Sequence, residues 1–355
     1  MASNNLRIDN ATLPFLGGKR KMSGIISSHF QGEALCDVFF GGGSVSLKGK
    51  QKGMRVISND IAYRSKIIGD ALISNSTVKL TDADVYSLFI PAENNNGFIE
   101  KNYYVPKIFI PKVAKDLDNF FANARKRESP KKELLLLLVV KYILSLRQYG
   151  AFQVGKQDNE MILENREIEL LELASESRGK KIKYNLSHPL PSLLRLKEQI
   201  NAGIFNNGKE NEMYQMDCFE FLKLMKEKGE KIDTAYFDSP YYNSTMYSSH
   251  YKVLDEILEE KTGVKIDDKA FNTKDVLENF EKLFALSEFI PKWVISMGYN
   301  PVSETGVRGE ELLAIVKKFR DADLYFLEHT WALNNIASKS GKKQEDCVEY
   351  LIVTK

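Results

Sequence analysis

Short apolar runs recur along the chain, and each stops at a polar or glycine-rich corner. "EALCDVFFGGG" (33–43), "MRVISNDI" (54–61), "NEMYQMD" (211–217), "DTAYFDSP" (233–240) and "KWVISMG" (292–298) each lead into a stretch able to form a helix or loop. This is how parallel strands feeding crossovers read. Two later runs, "ADLYFLEHTWA" (322–332) and "QEDCVEYLIVTK" (344–355), are joined by "LNNIASKSGKK", which carries no helical pattern. That pair predicts a hairpin rather than a crossover. The pattern as a whole predicts an α/β, doubly wound sheet of seven strands with one antiparallel strand near an edge.

Between the second and third strands the rhythm breaks. The chain is Asn-rich at 92–96 ("ENNNG"), helical in pattern around 131–149, basic at 178–183 ("RGKKIK") and punctuated by proline at 188–191 ("HPLP"). A connection of that length inside one compact fold is unexpected. Residues 76–204 are therefore read as an inserted, mainly helical lobe, with 1–75 and 205–355 forming one domain. A smaller excursion at 251–280 is rich in charge and reads as a solvated helical loop. The run "LLLLLVV" at 134–140 is bracketed by Lys132, Glu133 and Lys141 and falls far short of the ~20 residues of a membrane span, so a buried helix is expected.

Composition narrows the picture without deciding it. The chain has 355 residues, enough for a core and a second lobe, and its 43% hydrophobic and 28% charged content is that of a soluble globular protein. A net charge of +2 gives no global polyanion signal, so any nucleic-acid site must be local. Cys36, Cys218 and Cys347 lie far apart and form neither a disulfide framework nor a zinc pattern. No metal is expected, and His29, His188, His250 and His329 are too scattered to suggest one. "MASNNLRIDN" lacks the organisation of a signal peptide, so a cytoplasmic location is expected, with no membrane partner.

The corner "CDVFFGGGSV" carries the first chemical signal. Consecutive glycines let the backbone turn tightly and approach a ligand with no side chain in the way. Asp60 ends the next strand, near the spacing of roughly 20 residues at which an acid accepts hydrogen bonds from ribose hydroxyls. Both features suit a dinucleotide dehydrogenase as well as a methyltransferase. However, Ser46 stands where the dehydrogenase pattern wants glycine, and Asp37 before the turn points to a ligand with a positive centre, such as the sulfonium and amino group of S-adenosylmethionine. Upstream, "LPFLGGKRKM" (13–22) is a second Gly-Gly element; taken alone, it reads as a loop with a solvated basic cluster.

The stretch "TAYFDSPYYNSTMY" (234–247) is the most informative. It ends the fourth strand, beside the switch point where open α/β sheets bind ligands. An exocyclic amino group is a poor nucleophile because its lone pair is delocalised into the ring. Two acceptors, one per N–H, would draw that nitrogen toward tetrahedral geometry. Asp238 supplies one, and the main-chain carbonyl of Ser239 can supply the other. Pro240 stiffens the turn, and the Tyr241 ring offers a face on which a planar base can stack.

These motifs, taken in order, resemble the Dam-like adenine-specific DNA methyltransferases. That family carries an "F/W-x-GGK" element, an "EPFxGxG" first motif and a "(D/N)PPY" tetrapeptide. Here the counterparts are "FLGGK" (15–19), "DVFFGGG" (37–43), "SNDI" (58–61), "MDCFEFL" (216–222), "DSPY" (238–241) and "VISMGYNP" (294–301). The resemblance implies a Rossmann-like methyltransferase sheet and S-adenosylmethionine as cofactor, with S-adenosylhomocysteine as product. It implies that Phe15, Gly18, Lys19, Asp37 and Phe39 contact the cofactor, with Gly41, Gly43, Asp60, Asp217 and Asp238. Asp238, Ser239, Pro240 and Tyr241 would be catalytic. The inserted lobe would recognise DNA, with Arg147, Tyr149 and Phe152 in "LRQYGAF" (146–152) and Lys339, Lys342 and Lys343 in the late basic loop against double-stranded DNA.

The function this implies is methylation of an adenine flipped out of duplex DNA, in a restriction-modification system or as an orphan or phage methylase of a bacterial cytoplasm. A cognate restriction endonuclease would then be a partner. Ser239 replaces the first proline of the tetrapeptide but keeps the carbonyl. Asp37 and Val38 replace Glu and Pro, and Ala151 and Phe152 depart from the family's recognition segment. Three alternatives remain open: an amino-methyltransferase acting on cytosine or RNA, one acting on a glutamine side chain, and a DNA-binding homologue with impaired turnover.

Overall fold

The protein is seen in a computed structural model. The structure describes residues 8–13, 15, 18–93, 95–103, 109, 111–146, 176–242, 247–267, 269–301, 304–327 and 348–355. The chain divides into two compact units. One comprises Met1–Gly18, Tyr63–Asn206 and His250–Lys265; the other comprises Lys19–Ala62, Asn207–Ser249 and Ile266–Lys355.

The second unit contains the sheet. Its strands are β1 (Ala34–Asp37), β2 (Arg55–Asp60), β3 (Glu212–Gln215), β4 (Thr234–Phe237), β5 (Lys292–Asn300), β6 (Thr305–Gly306), β7 (Ala322–Leu327) and β8 (Val348–Thr354). The order across the sheet is β3-β2-β1-β4-β5-β8-β7, with the short β6 paired on β5. The first five strands run parallel, and β8 lies antiparallel between β5 and β7. The expected doubly wound sheet with one antiparallel strand next to an edge is what forms. From β1 the chain winds outward through β2 and β3, then returns to β4 on the other flank of β1. The winding therefore reverses between β1 and β4, the place where such sheets open a crevice for ligands. The two-residue β6 had no sequence signal, being too short to show a period.

β1 and β4 are buried along their whole length, as strands covered on both faces must be. The packing below β4 is aromatic. Phe237 meets Phe284 at 5.7 Å and Trp293 at 6.3 Å, and Trp293 and Phe284 stack at 5.4 Å. Each such pair adds ~0.5–1.5 kcal/mol to its burial. Side chains alternate across a strand, so pinning Phe237 to this face sends Tyr236 and Asp238 to the other. The core thereby sets where the carboxylate after β4 is held.

The first unit is helical. Lys131–Ser145 contains the "LLLLLVV" run, every residue of which is buried, as expected. It packs among the helices Pro111–Arg125, Pro189–Ala202 and Tyr63–Gly69. Lys141 is buried in it because its ammonium donates to the carbonyls of Asn10 (2.8 Å) and Thr12 (3.0 Å). The unit has other bounds than the insert expected at 76–204: it also takes in Met1–Gly18, Tyr63–Asn75, 205–206 and His250–Lys265.

The segment 251–280 is not the solvated loop that its charge suggested. Tyr251, Leu254, Ile257 and Leu258, spaced along one face of the helix Tyr247–Glu259, are buried. Asp255 and Glu256 are buried with them because Arg64 pairs with Asp255 and the Tyr103 hydroxyl donates to Glu256. The helical period outweighed the charge count. Further on, Phe271, Val276 and Phe280 belong to the core of the sheet unit. Among the described residues no helix is long and apolar enough to cross a membrane.

Candidate active site

Three acids stand where neighbouring strands end. Asp37 closes β1, Asp60 closes β2, and Asp238 follows β4; Asp37 lies in register with Tyr236 of β4 and with Ser58 of β2. The parallel register alone brings them to one edge.

The glycine corner follows Asp37. Gly41 and Gly43 have φ of +54° and +78°, a region that side chains avoid. A Cβ on Gly43 would sit 2.3 Å from the Phe40 ring, so at that position glycine is required by space as well as by conformation. Gly43 then caps the helix Ser44–Gln51. Asp60 braces the corner: its Oδ2 accepts the Gly41 N–H at 2.7 Å and its Oδ1 the Ala62 N–H at 2.8 Å. The residue expected to meet ribose therefore also holds the loop.

Asp37 is buried. Its Oδ2 accepts the Ser46 hydroxyl at 2.6 Å, and Ser46 in turn lies 2.8 Å from the Ser58 hydroxyl. Its Oδ1 accepts no well-formed hydrogen bond among the described residues, although the Phe39 N–H lies close enough to help hold the carboxyl down. Burial pushes the Asp37 carboxyl up to about 7; the Ser46 hydrogen bond opposes the rise, and the charges of Asp238 and Asp60 add to it. An enclosed carboxylate oxygen left unpaired costs stability until a donor or cation meets it. That orphan oxygen fits the ammonium of an amino-acid-bearing cofactor. Ser46 and Ser58 were not recognised as members of the site; Ser46 was noted only as a missing glycine.

The turn after β4 holds the densest charge. Lys19 is buried, and its Nζ lies 2.8 Å from Asp238 Oδ1 and 3.9 Å from Glu349 Oε2. It also donates to the Tyr241 hydroxyl at 2.9 Å, and that hydroxyl donates to Glu349 Oε1 at 2.8 Å. Burial works against the Lys19 charge, yet Asp238 and Glu349 outweigh it and raise its pKa above that of an ordinary lysine. For Asp238, burial pushes the carboxyl up to about 6 against the pull of Lys19, with Glu349 adding to the rise. Solvent still reaches 19% of the Asp238 side chain, and its rise is smaller than that of fully enclosed Asp37. Oδ1 is the oxygen committed to Lys19; Oδ2 takes no part in that ion pair.

Tyr236 and Ser296, both buried, flank this turn; the Ser296 hydroxyl lies close to the Tyr236 phenol, though neither hydroxyl makes a well-formed hydrogen bond among the described residues. The Tyr236 phenol is nevertheless close enough to help hold the Asp238 carboxyl down. Ser239 is buried, and its hydroxyl lies 3.4 Å from the Pro240 carbonyl.

The other expected residues occupy varied places. Asp217 caps the helix Cys218–Glu227, its Oδ1 accepting from Phe219 (2.9 Å) and Glu220 (3.2 Å). Its second oxygen takes no part in that cap. Phe39 packs edge-on to Phe271 at 5.3 Å, against the core. Phe15 and Gly18 belong to the helical unit, where the Gly18 N–H donates to the Phe15 carbonyl at 3.1 Å. There the Phe15 ring meets Tyr251 at 4.8 Å and lies 5.8 Å from the Arg64 guanidinium. Arg147, Tyr149, Phe152, Lys339, Lys342 and Lys343 all lie outside the described residues. Glu349 was missed by sequence reasoning. Its one signal was an acid inside the apolar run "VEYLIVTK".

A glycine corner and acid-ended strands at a β1/β4 switch point, together with an antiparallel β8, define a Rossmann-like methyltransferase. Comparison with known proteins agrees. Residues 15–181 match the D12 class N6 adenine-specific DNA methyltransferase family. A curated relative, the Type II methyltransferase M2.HphI of Haemophilus parahaemolyticus, is 27% identical over 312 residues, which is 86% of this chain and 87% of that protein. Together these likenesses support site-specific methylation of adenine in DNA.

Proposed function

We propose that this chain methylates the exocyclic amino group of an adenine turned out of duplex DNA, with Asp238 as the acceptor that orients that amino group. The likeness to a Type II methyltransferase supports a place in a restriction-modification system, with a cognate endonuclease as partner, in a bacterial cytoplasm. The observation that carries the reading is Asp238 at the switch point, fixed by Lys19 through one oxygen and beside Asp37.

S-adenosylmethionine, when bound, supplies an electrophilic methyl group on a sulfonium. Asp37 would hold its ammonium through the unpaired Oδ1, and Asp60 and Asp217 would meet its ribose and adenine. The turn 41–43 lets the backbone approach without side chains in the way. These roles follow from acids at the ends of the strands and a donor set that favours a cation.

Asp238 Oδ2 would accept one N–H of the target amino group. A neighbouring main-chain carbonyl, that of Ser239, would accept the other. Two acceptors localise the nitrogen lone pair and aim it, and orientation of this kind supplies much of an enzyme's acceleration. The amino group becomes acidic only after it has gained the methyl, so Asp238 serves mainly as an acceptor rather than as a strong base. Flipping the adenine costs a few kcal/mol. Contacts from the helical unit, read here as the recognition domain, would offset that cost.

The test is methyl transfer from labelled S-adenosylmethionine offered duplex DNA, RNA and protein extract side by side. Label in DNA, recovered as N6-methyladenine, is the expected result. Label in cytosine, RNA or protein would assign the site to one of the other amino substrates. DNA binding without transfer would mark a homologue that has lost turnover.

A further inference from the structure

Glu349 is the least expected residue in this site. It is buried, lies near the start of β8, and pairs in register with Gly298 of β5. Because β8 runs against its neighbours, its first residues arrive at the edge where the parallel strands end. An acid from the far end of the chain is thus delivered beside the turn that follows β4.

Enclosing a carboxylate among aromatic and aliphatic side chains is unfavourable unless it is paired. Glu349 has two partners: the Tyr241 hydroxyl at 2.8 Å, and Lys19 Nζ at 3.9 Å on its other oxygen. Neither partner is needed to hold the sheet together, since the ladders through β8 are made by main-chain groups. Both partners instead touch the machinery around Asp238.

We propose that Glu349 is a positioning residue for methyl transfer: it fixes the Tyr241 hydroxyl and shares Lys19, so that Lys19 engages Asp238 through one oxygen and leaves the other for the substrate amino group. This rests on the reading of Asp238 given above. Lys19 placed between two carboxylates cannot surrender its charge wholly to Asp238. Tyr241, tied through its hydroxyl, keeps its ring at a fixed tilt beside the site.

The groups facing Asp238 are Lys19, Tyr236 of β4, Asp37 of β1 and Glu349 of β8. Of these, Glu349 and Asp37 disfavour the Asp238 carboxylate, and Lys19 and Tyr236 favour it. Neutralising Glu349 therefore shifts Asp238 toward ionisation at lower pH, whereas a merely structural defect would not.

The experiment compares wild type with Glu349→Gln, measuring kcat for DNA methylation at saturating cofactor across pH 5–9, together with cofactor affinity. The expected result is a fall of about tenfold in kcat, the scale of one positioning hydrogen bond. Cofactor affinity should be unchanged, and the acidic limb should move to lower pH. An unchanged kcat, or a lower kcat with an unmoved limb, overturns the proposal. If Glu349→Gln does not fold, Tyr241→Phe decides: the ring stays, the link to Glu349 is lost, and an unchanged kcat overturns it. A wild-type protein that methylates no DNA would overturn the reading on which the inference rests, and the wild-type arm reports that separately.

Discussion

Lys19 and Asp238 stand 219 positions apart in the sequence, by their numbers, yet form an ion pair of 2.8 Å at the end of β4. Lys19 is fully enclosed, and its favourable partners are two acids and a phenol hydroxyl. The pair sets both the orientation of Asp238 and the pH at which it is charged. Replacing Lys19 by Met removes the group that holds the Asp238 carboxyl down. The acidic limb of the rate profile should then move above the wild-type position near 6, opposite to the shift expected for Glu349→Gln. Because one partner of a buried pair is left behind, stability should fall by roughly 3–5 kcal/mol. A pH–rate profile and a denaturant titration check both parts.

Cofactor binding should depend on pH through Asp37. Its carboxyl sits at about 7 in the free protein and is held up by burial, while an ammonium partner requires the charged form. Affinity should therefore rise as pH increases through about 7, with a proton released on binding below that range. The same raised pKa means that Asp37 favours folding most at low pH and loses that contribution as pH rises from about 4 through 7. Asp37→Asn should weaken binding and flatten its pH dependence. Calorimetric titration in two buffers of different ionisation enthalpy measures the proton release.

Ser46→Ala removes the hydroxyl that donates to Asp37 at 2.6 Å. The Asp37 pKa should climb further, and cofactor affinity at pH 7 should fall by about five- to tenfold, the scale of one ordinary hydrogen bond. Methylation at saturating cofactor should be close to wild type. A KM effect without a kcat effect is the diagnostic outcome.

The two glycines of the corner should respond differently. Gly43→Ala meets the Phe40 ring at 2.3 Å and a left-handed backbone, so it should destabilise the sheet unit by about 2–3 kcal/mol. Gly41→Ala meets nothing within 4 Å and carries only the conformational strain of its φ, roughly 1 kcal/mol. If the cofactor approaches the backbone there, Gly41→Ala should raise the cofactor KM far more than it lowers the melting temperature. Thermal unfolding with and without S-adenosylmethionine separates the two effects.

Much of this site was legible because its parts are local in sequence. The strand ends "DVFFGGG", "SND" and "YFDSPY" each carry their acid at the corner where a parallel strand stops, and the parallel register then gathers them. Glu349 was not legible in this way. Its place follows from β8 running backwards between β5 and β7, a pairing that alternation within "VEYLIVTK" does not encode. Ser46 and Ser58 were hidden for a related reason: each is an ordinary polar residue until the Ser44–Gln51 helix and β2 bring both hydroxyls to Asp37. The helix Tyr247–Glu259 was misjudged because its acids were counted as solvated. Arg64 and Tyr103, which make their burial tolerable, come from distant parts of the chain.

The central claim is that Asp238 orients the target amino group without being needed to hold the cofactor. The most direct measurement is a single-turnover methylation of duplex DNA by Asp238→Ala, with S-adenosylmethionine binding followed in the same preparation. Cofactor affinity within about threefold of wild type, with N6-methyladenine formation lowered by at least about a thousandfold, is the predicted result. Methylation that persists near the wild-type rate would contradict it.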